Sequence, residues 1–135
     1  MKIKIDTRFK TINRGIYGIF TCTTDNDTED ICCYVGKSEQ LAYRAEQHKK
    51  SLLNKTHIPT LNCAMDDEKS TILIQLIESV PYKFDNYYKD AQRLASRENY
   101  WIDKYQKNEQ CLEQLPSGKR PSLMWWESEK DKLGK

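Results

Sequence analysis

The spacing of hydrophobic positions along the chain changes several times, and each change marks an element. Gly15 to Thr23 (G-I-Y-G-I-F-T-C-T) is rich in Ile, Tyr and Phe and predicts a strand. Thr24 to Asp30 is polar and acidic and reads as a turn, and a second apolar run, Ile31 to Val35, stops at Gly36. So short a separation predicts an antiparallel hairpin, because a parallel crossover takes about a dozen residues or more. From Ser38 the period becomes 3.6. Ser38 suits the N-cap, Glu39 the first turn, and Leu41, Ala45 and Leu52 trace one face of a helix ending near Leu53 or Asn54. Residues 54–68, with Pro59, read as a loop with room for one short helical turn. Thr71 to Val80 is a third strand stopped by Pro81. A second helix, Tyr88 to Tyr105, carries the inward stripe Ala91, Leu94, Ala95, Glu98, Ile102 and Tyr105. Past residue 107 the pattern weakens into turn signals at Leu115–Gly118 and Arg120-Pro121, an apolar patch at Leu123–Trp126 and a charged tail. The order predicts an α/β (α+β) fold, a three-stranded antiparallel sheet flanked by helices. We read 1–135 as a single domain, with its core at about 14–107, a basic N-terminal arm and an irregular segment 108–135.

Composition changes this picture little, and the distribution of charge changes it more. Hydrophobic residues make up 38% and charged residues 31%, yet three Trp, eight Tyr and three Phe argue against disorder. A net charge of +2 does not by itself imply nucleic acid. Locally, residues 36–57 carry Lys37, Arg44, Lys49, Lys50 and Lys55 against only Glu39 and Glu46, a patch suited to a phosphate backbone. The arm 1–14 sets Lys2, Lys4, Arg8, Lys10 and Arg14 against Asp6, with Ile3 and Ile5 alternating; it is a short edge strand or a loose tail, solvated or touching phosphate. Five cysteines, odd in number and without a CxxC pair, predict buried free thiols in a reducing compartment and make a structural zinc site improbable. No apolar run approaches the ~20 residues that span a bilayer, and no secretory leader is seen. The expectation is a cytoplasmic, DNA-associated protein with no membrane contact.

Candidate chemistry lies where polar residues occupy positions that the pattern reserves for apolar ones. Arg44 and His48 stand one turn apart beside Leu41, Ala45 and Leu52. Singly, each is explained by snorkelling or by a satisfied core imidazole; together they form a candidate phosphate clamp with a titratable neighbour. Glu98 interrupts the second helix's stripe. A buried carboxylate is costly unless paired with a base such as Arg44 or bound to a cation. Tyr17 and Tyr34 sit in Gly15-Ile16-Tyr17-Gly18 and Tyr34-Val35-Gly36, and a glycine in a strand often marks close approach by a backbone or ligand.

With Gly15-Ile16-Tyr17, Tyr34-Val35-Gly36, Lys37-Ser38, Arg44, His48, His57 and Glu98 in this order, the chain resembles the GIY-YIG nuclease superfamily over roughly residues 14–107. The histidines four and thirteen residues after the arginine are similar to those of homing-type members. The resemblance implies a DNA endonuclease with one divalent cation, Mg²⁺ or Mn²⁺, held chiefly by Glu98, and products with a 5′-phosphate and a 3′-hydroxyl. It further implies catalytic roles for Tyr17, Tyr34, Arg44, His48 and Glu98. Tyr17 is our choice of base with His48 as its proton acceptor, and Tyr34 as orienting group; the reverse assignment of the tyrosines stays open. Lys37 then lowers the tyrosine pKa or touches phosphate, and His57 makes a supporting contact. Many members carry an asparagine beyond the catalytic helix; here Leu112-Glu113 stands near that place, with Asn108 the other nearby candidate. DNA is the expected partner, and a homodimer or a recruiting protein is compatible with one active site per chain. The alternatives are a catalytically impaired nucleic-acid-binding domain of the same fold, or a protein-interaction module using the Leu123–Trp126 patch.

Overall fold

The computed structural model describes residues 2–23 and 30–114; the Leu123–Trp126 patch lies outside the described residues. Four strands, β1 (Ile3–Ile5), β2 (Gly15–Thr23), β3 (Ile31–Ser38) and β4 (Ser70–Ser79), form one sheet in the order β1-β4-β2-β3. Antiparallel pairing joins β2 to both β3 and β4, while β1 lies parallel to β4. The sheet therefore has one strand more than the three expected, and the basic arm supplies it. Three residues, the middle one a lysine, are too few to give a clear period, yet Ile3 is buried and the Lys2 carbonyl accepts from the Ile72 amide. Asp6 completes the join by accepting from the Leu76 and Arg8 amides, which caps a 3-10 turn at Thr7–Lys10.

Helices α1 (Leu41–Leu53) and α2 (Pro59–Asp66) cover one face and α3 (Tyr87–Lys107) the other. One core gathers Tyr17, Ile19, Cys33, Leu41, Ala45, Leu52, Leu61, Ile72 and Ile74 under α1 and α2. The second gathers Ile16, Phe20, Cys32, Val35, Val80, Leu94 and Ile102 under α3. Cys32 and Cys33 face opposite cores by the ordinary alternation of a strand, and the register shift at Ile19/Phe20 leaves Cys33 as the extra residue of a bulge, so that Cys33 and Tyr34 both face α1. Of the cysteines, Cys32, Cys33 and Cys111 are buried thiols as expected, but Cys63 is exposed.

Several local expectations are corrected. Ser38 does not cap α1; it ends β3, its hydroxyl accepts from the Gln40 amide, and the helix starts three residues later. Glu39 stands outside the helix and accepts from the Tyr82 and Tyr87 hydroxyls, tying α1's entry to the start of α3. The supposed loop around Pro59 holds a two-turn helix, since proline at the first helical position loses nothing by lacking an N–H. Asn86 caps α3 by accepting from the Tyr88 and Lys89 amides.

Beyond α3 the chain turns back along β3. Gln110 Oε1 accepts from the Cys32 amide, Gln114 Oε1 from the Val35 amide, and the Gln114 amide group donates to the Val35 carbonyl. Segment 110–114 thereby covers an outer edge that would otherwise invite strand addition, and it fixes the strand that carries Tyr34.

Candidate active site

The site is built on the α1-facing side of the β2–β3 hairpin. Tyr17 lies on β2 directly opposite Gly36 of β3. A Cβ at Gly36 would stand 2.3 Å from the Tyr17 hydroxyl oxygen and 2.4 Å from Cζ, so the phenol lies across a backbone that must lack a side chain. Gly15 serves a different end: a Cβ there would meet the Glu78 carbonyl oxygen at 2.2 Å, so this glycine permits the close approach of β4. The glycine-flanked triplets thus have separate physical causes.

Helix α1 brings its inward polar residues over the tyrosines. The Tyr17 hydroxyl lies 2.6 Å from His48 Nε2, His48 Nδ1 lies 2.9 Å from His57 Nε2, and His57 Nδ1 accepts from the Ile58 amide at 2.9 Å. Tyr34 packs on both imidazoles, with ring centroids 5.3 Å from His48 and 5.4 Å from His57. The His57 backbone is pinned by Asn62, which accepts from its amide and donates to its carbonyl. Tyr34, Arg44, His48, Ser51, Thr56, His57 and Ile58 line an open cleft of about 390 Å³. Tyr17 is not among the lining residues; it is buried beneath them, 2% exposed, with its hydroxyl on His48.

Burial dominates the electrostatics. It pushes the Tyr17 phenol well above its ordinary range; Tyr34 and the Glu98 charge add to the rise, and the Arg44 guanidinium opposes it. The His48 imidazole is pushed down to about 3 by burial, then by Arg44 and His57, and His57 is lowered by burial and Arg44. Both rings are therefore neutral at ordinary pH.

Glu98 projects from α3 with its side chain 20% exposed, and its nearest cation is the Lys37 ammonium at 4.0 Å. Burial raises its pKa, while Lys37 counters through its charge and backbone hydrogen bonding. Lys37 thus faces Glu98, and Arg44 is the cation that bears on the tyrosines. Arg44 Nη1 donates to Gln47, one turn along the same helix. Among the described residues no group of three or more His, Cys, Asp or Glu side chains is arranged to hold a metal ion.

The structure thus gathers Tyr17, Tyr34, Arg44, His48 and His57 in one cluster, with the Glu98–Lys37 pair electrostatically coupled to it through Tyr17. Of the basic patch, Lys49 and Lys50 line a groove on the outer side of α1, whereas Lys55 is ion-paired with Asp66. Glu113 takes no part in the cluster: its carboxylate accepts from the Thr60 amide in the first turn of α2. Asn108 is the exposed C-cap of α3. Sequence reasoning missed the Ile58 amide and the two glutamines on the β3 edge, none of which carries a periodic or compositional signal. It also missed buried Arg14, which donates to the Val80 and Asp90 carbonyls, and buried Asp90, which accepts from the Lys83 amide.

The frame of the site is a mixed sheet with a tyrosine on each arm of the β2–β3 hairpin, roofed by a helix bearing arginine and histidine. The chain belongs to the GIY-YIG family: the GIY-YIG catalytic domain matches residues 13–110, and domains of this family are in general nucleases acting on DNA. No curated protein and no solved structure gives a match. Among the described residues no helix is long and apolar enough to cross a membrane.

Proposed function

We propose that the protein is a divalent-metal-dependent DNA endonuclease that hydrolyses phosphodiester bonds by tyrosine-assisted attack of water. The observation that carries this reading is the gathering of Tyr34, Arg44, His48 and His57 around one open cleft, with buried Tyr17 hydrogen-bonded to His48 beneath it. Arg44 offers a planar fork of donors for a phosphate that gains charge in the transition state. Tyr17 is the base that takes a proton from the attacking water, with His48 hydrogen-bonded to its oxygen. Tyr34, at the rim, orients water or phosphate. Lys37, Lys49, Lys50 and Lys55 contribute contacts to the DNA backbone, which position the duplex without reading its sequence.

Glu98 would hold the cation, Mg²⁺ or Mn²⁺. Its fit rests on one hard carboxylate, mostly buried and matched, among the described residues, by a lysine 4.0 Å away. A lone carboxylate makes a weak, largely hydrated site that the DNA phosphate completes. When bound, such an ion polarises the phosphate and neutralises charge on the leaving 3′-oxygen.

The test is to incubate supercoiled plasmid and branched DNA with the protein and Mg²⁺ or Mn²⁺, beside chelator controls and Glu98→Gln. Metal-dependent cleavage that is lost in the variant supports the reading. Metal-independent cleavage, or cleavage by Glu98→Gln at the wild-type rate, refutes the role of Glu98. No cleavage of any substrate refutes the nuclease.

A further inference from the structure

The chain from Tyr17 to Ile58 has a direction, and that direction bears on how the tyrosine loses its proton. A neutral imidazole carries one N–H, and its other nitrogen is an acceptor. The Ile58 amide can only donate, so His57 Nδ1 is the acceptor and the His57 proton sits on Nε2. His57 Nε2 faces His48 Nδ1 at 2.9 Å, so His48 Nδ1 accepts and the His48 proton sits on Nε2. That N–H points at the Tyr17 oxygen, 2.6 Å away. One backbone amide, held at the entry to α2 by Pro59 and by Asn62 on the His57 backbone, thus sets the polarity of three successive hydrogen bonds.

We propose that His57 is a positioning residue that locks His48 as a hydrogen-bond donor to the Tyr17 oxygen, so that the phenolic proton leaves to solvent and not through the imidazole. This reverses the role of proton acceptor expected for His48. Only the last step of the inference, the route of the proton during cleavage, rests on the nuclease reading. In that step Tyr17 first releases its proton to bulk water. The tyrosinate, held by the His48 N–H and the Arg44 charge, then removes a proton from the attacking water. The water oxygen bonds to phosphorus as the bond to the 3′-oxygen breaks, and the departing oxygen is protonated from solvent. Tyr17 ends the turnover as the phenol.

The groups facing Tyr17 agree with this arrangement. From α1 come Arg44 and His48, from the segment before α2 His57, from β3 Tyr34, and from α3 Glu98, with Lys37 beside it. On β4 the partner of Tyr17 is Leu76, whose amide is held by Asp6, itself paired with Arg8. None of these supplies an acceptor that would turn His48 around.

The chain contains two histidines, so a ring-nitrogen NMR spectrum of the full-length protein with isotope-labelled histidine shows just two imidazoles. At about pH 7 both are expected as Nε2–H tautomers; an Nδ1–H pattern for His48 overturns the proposal. His57→Gln keeps an amide donor facing His48 and should preserve its pattern. His57→Glu presents an acceptor and should switch His48 to Nδ1–H; an unchanged His48 pattern in this variant shows that His57 does not set it. If that variant does not fold, the wild-type spectrum still decides. For wild-type cleavage, the tyrosinate route predicts a rate rising about tenfold per pH unit through neutral pH. A rate flat above about pH 5 would mean that His48 accepts the proton, against the proposal. Absence of cleavage on every substrate overturns the nuclease reading alone, because the spectrum needs no turnover.

Discussion

Gly36→Ala is the smallest change that should disable the site, and its effect can be worked from the packing. The added Cβ would lie 2.3 Å from the Tyr17 hydroxyl oxygen, more than an ångström inside the 3.4 Å at which ordinary contact begins. The strand cannot withdraw, because β3 is bonded to β2 on one side and to Gln110 and Gln114 on the other. Tyr17 must move instead, and its ring is confined by Tyr34 at 6.4 Å and His48 at 5.2 Å between centroids. Overpacking of this kind costs about 1–3 kcal/mol. Loss of the 2.6 Å hydrogen bond to His48 adds about 1 kcal/mol. Urea unfolding should therefore show a loss of about 2–4 kcal/mol. DNA cleavage should fall by roughly 10²-fold, the cost of misplacing a reacting group by about an ångström. Tyr17→Leu removes the colliding atoms, so the double variant should be more stable than the sum of the single losses allows, by about 0.5–3 kcal/mol. A Gly36→Ala protein within about 0.5 kcal/mol of wild type, with its His48 signals unmoved, would refute the packing argument.

Other consequences concern single groups. His48 is held neutral with its pKa pushed down to about 3 from 6.5, so between those values the unfolded chain binds the proton that the folded one refuses. Stability should fall as pH falls through that window, by up to about 1.4 kcal/mol per pH unit from this group, and denaturant unfolding of His48→Gln should show a shallower decline. Asp90 is 1% exposed and accepts from the Lys83 and Phe84 amides, so Asp90→Ala should cost about 2–3 kcal/mol by thermal or urea unfolding, and Asp90→Asn less. Glu113→Ala should speed amide hydrogen exchange at Thr60 and leave cleavage unchanged, since its carboxylate serves α2 and not the cleft.

How much of this was legible in the sequence depended on whether a residue announced itself through period or through spacing. The three long strands and both long helices stand within a few residues of their expected places, because each repeats its pattern over two or more turns or several alternations. Strand β1 is too short to alternate convincingly, and it joins a partner almost seventy residues away. Helix α2 was hidden by Pro59, a breaker within a helix but a starter at its first position. At the site, Arg44 and His48 stood out as polar groups on an apolar face, and Glu98 as a carboxylate in an apolar stripe. Gly36 also stood out, although only the structure shows that it makes room for the Tyr17 ring. The Ile58 amide had no signal at all, because a backbone group that sets an imidazole tautomer leaves no mark on residue identity. The edge contacts of Gln110 and Gln114 were likewise silent, being polar residues in a segment without period.

In the proposed hydrolysis of DNA, Tyr17, beneath Arg44 and His48, is the base. That role is tested most directly by the single-turnover cleavage rate of Tyr17→Phe at saturating protein with Mg²⁺ or Mn²⁺. The substitution removes one oxygen and leaves the ring packing in place. A loss of at least about 10²-fold in rate is expected, with DNA affinity unchanged. Cleavage by Tyr17→Phe at the wild-type rate would contradict that role.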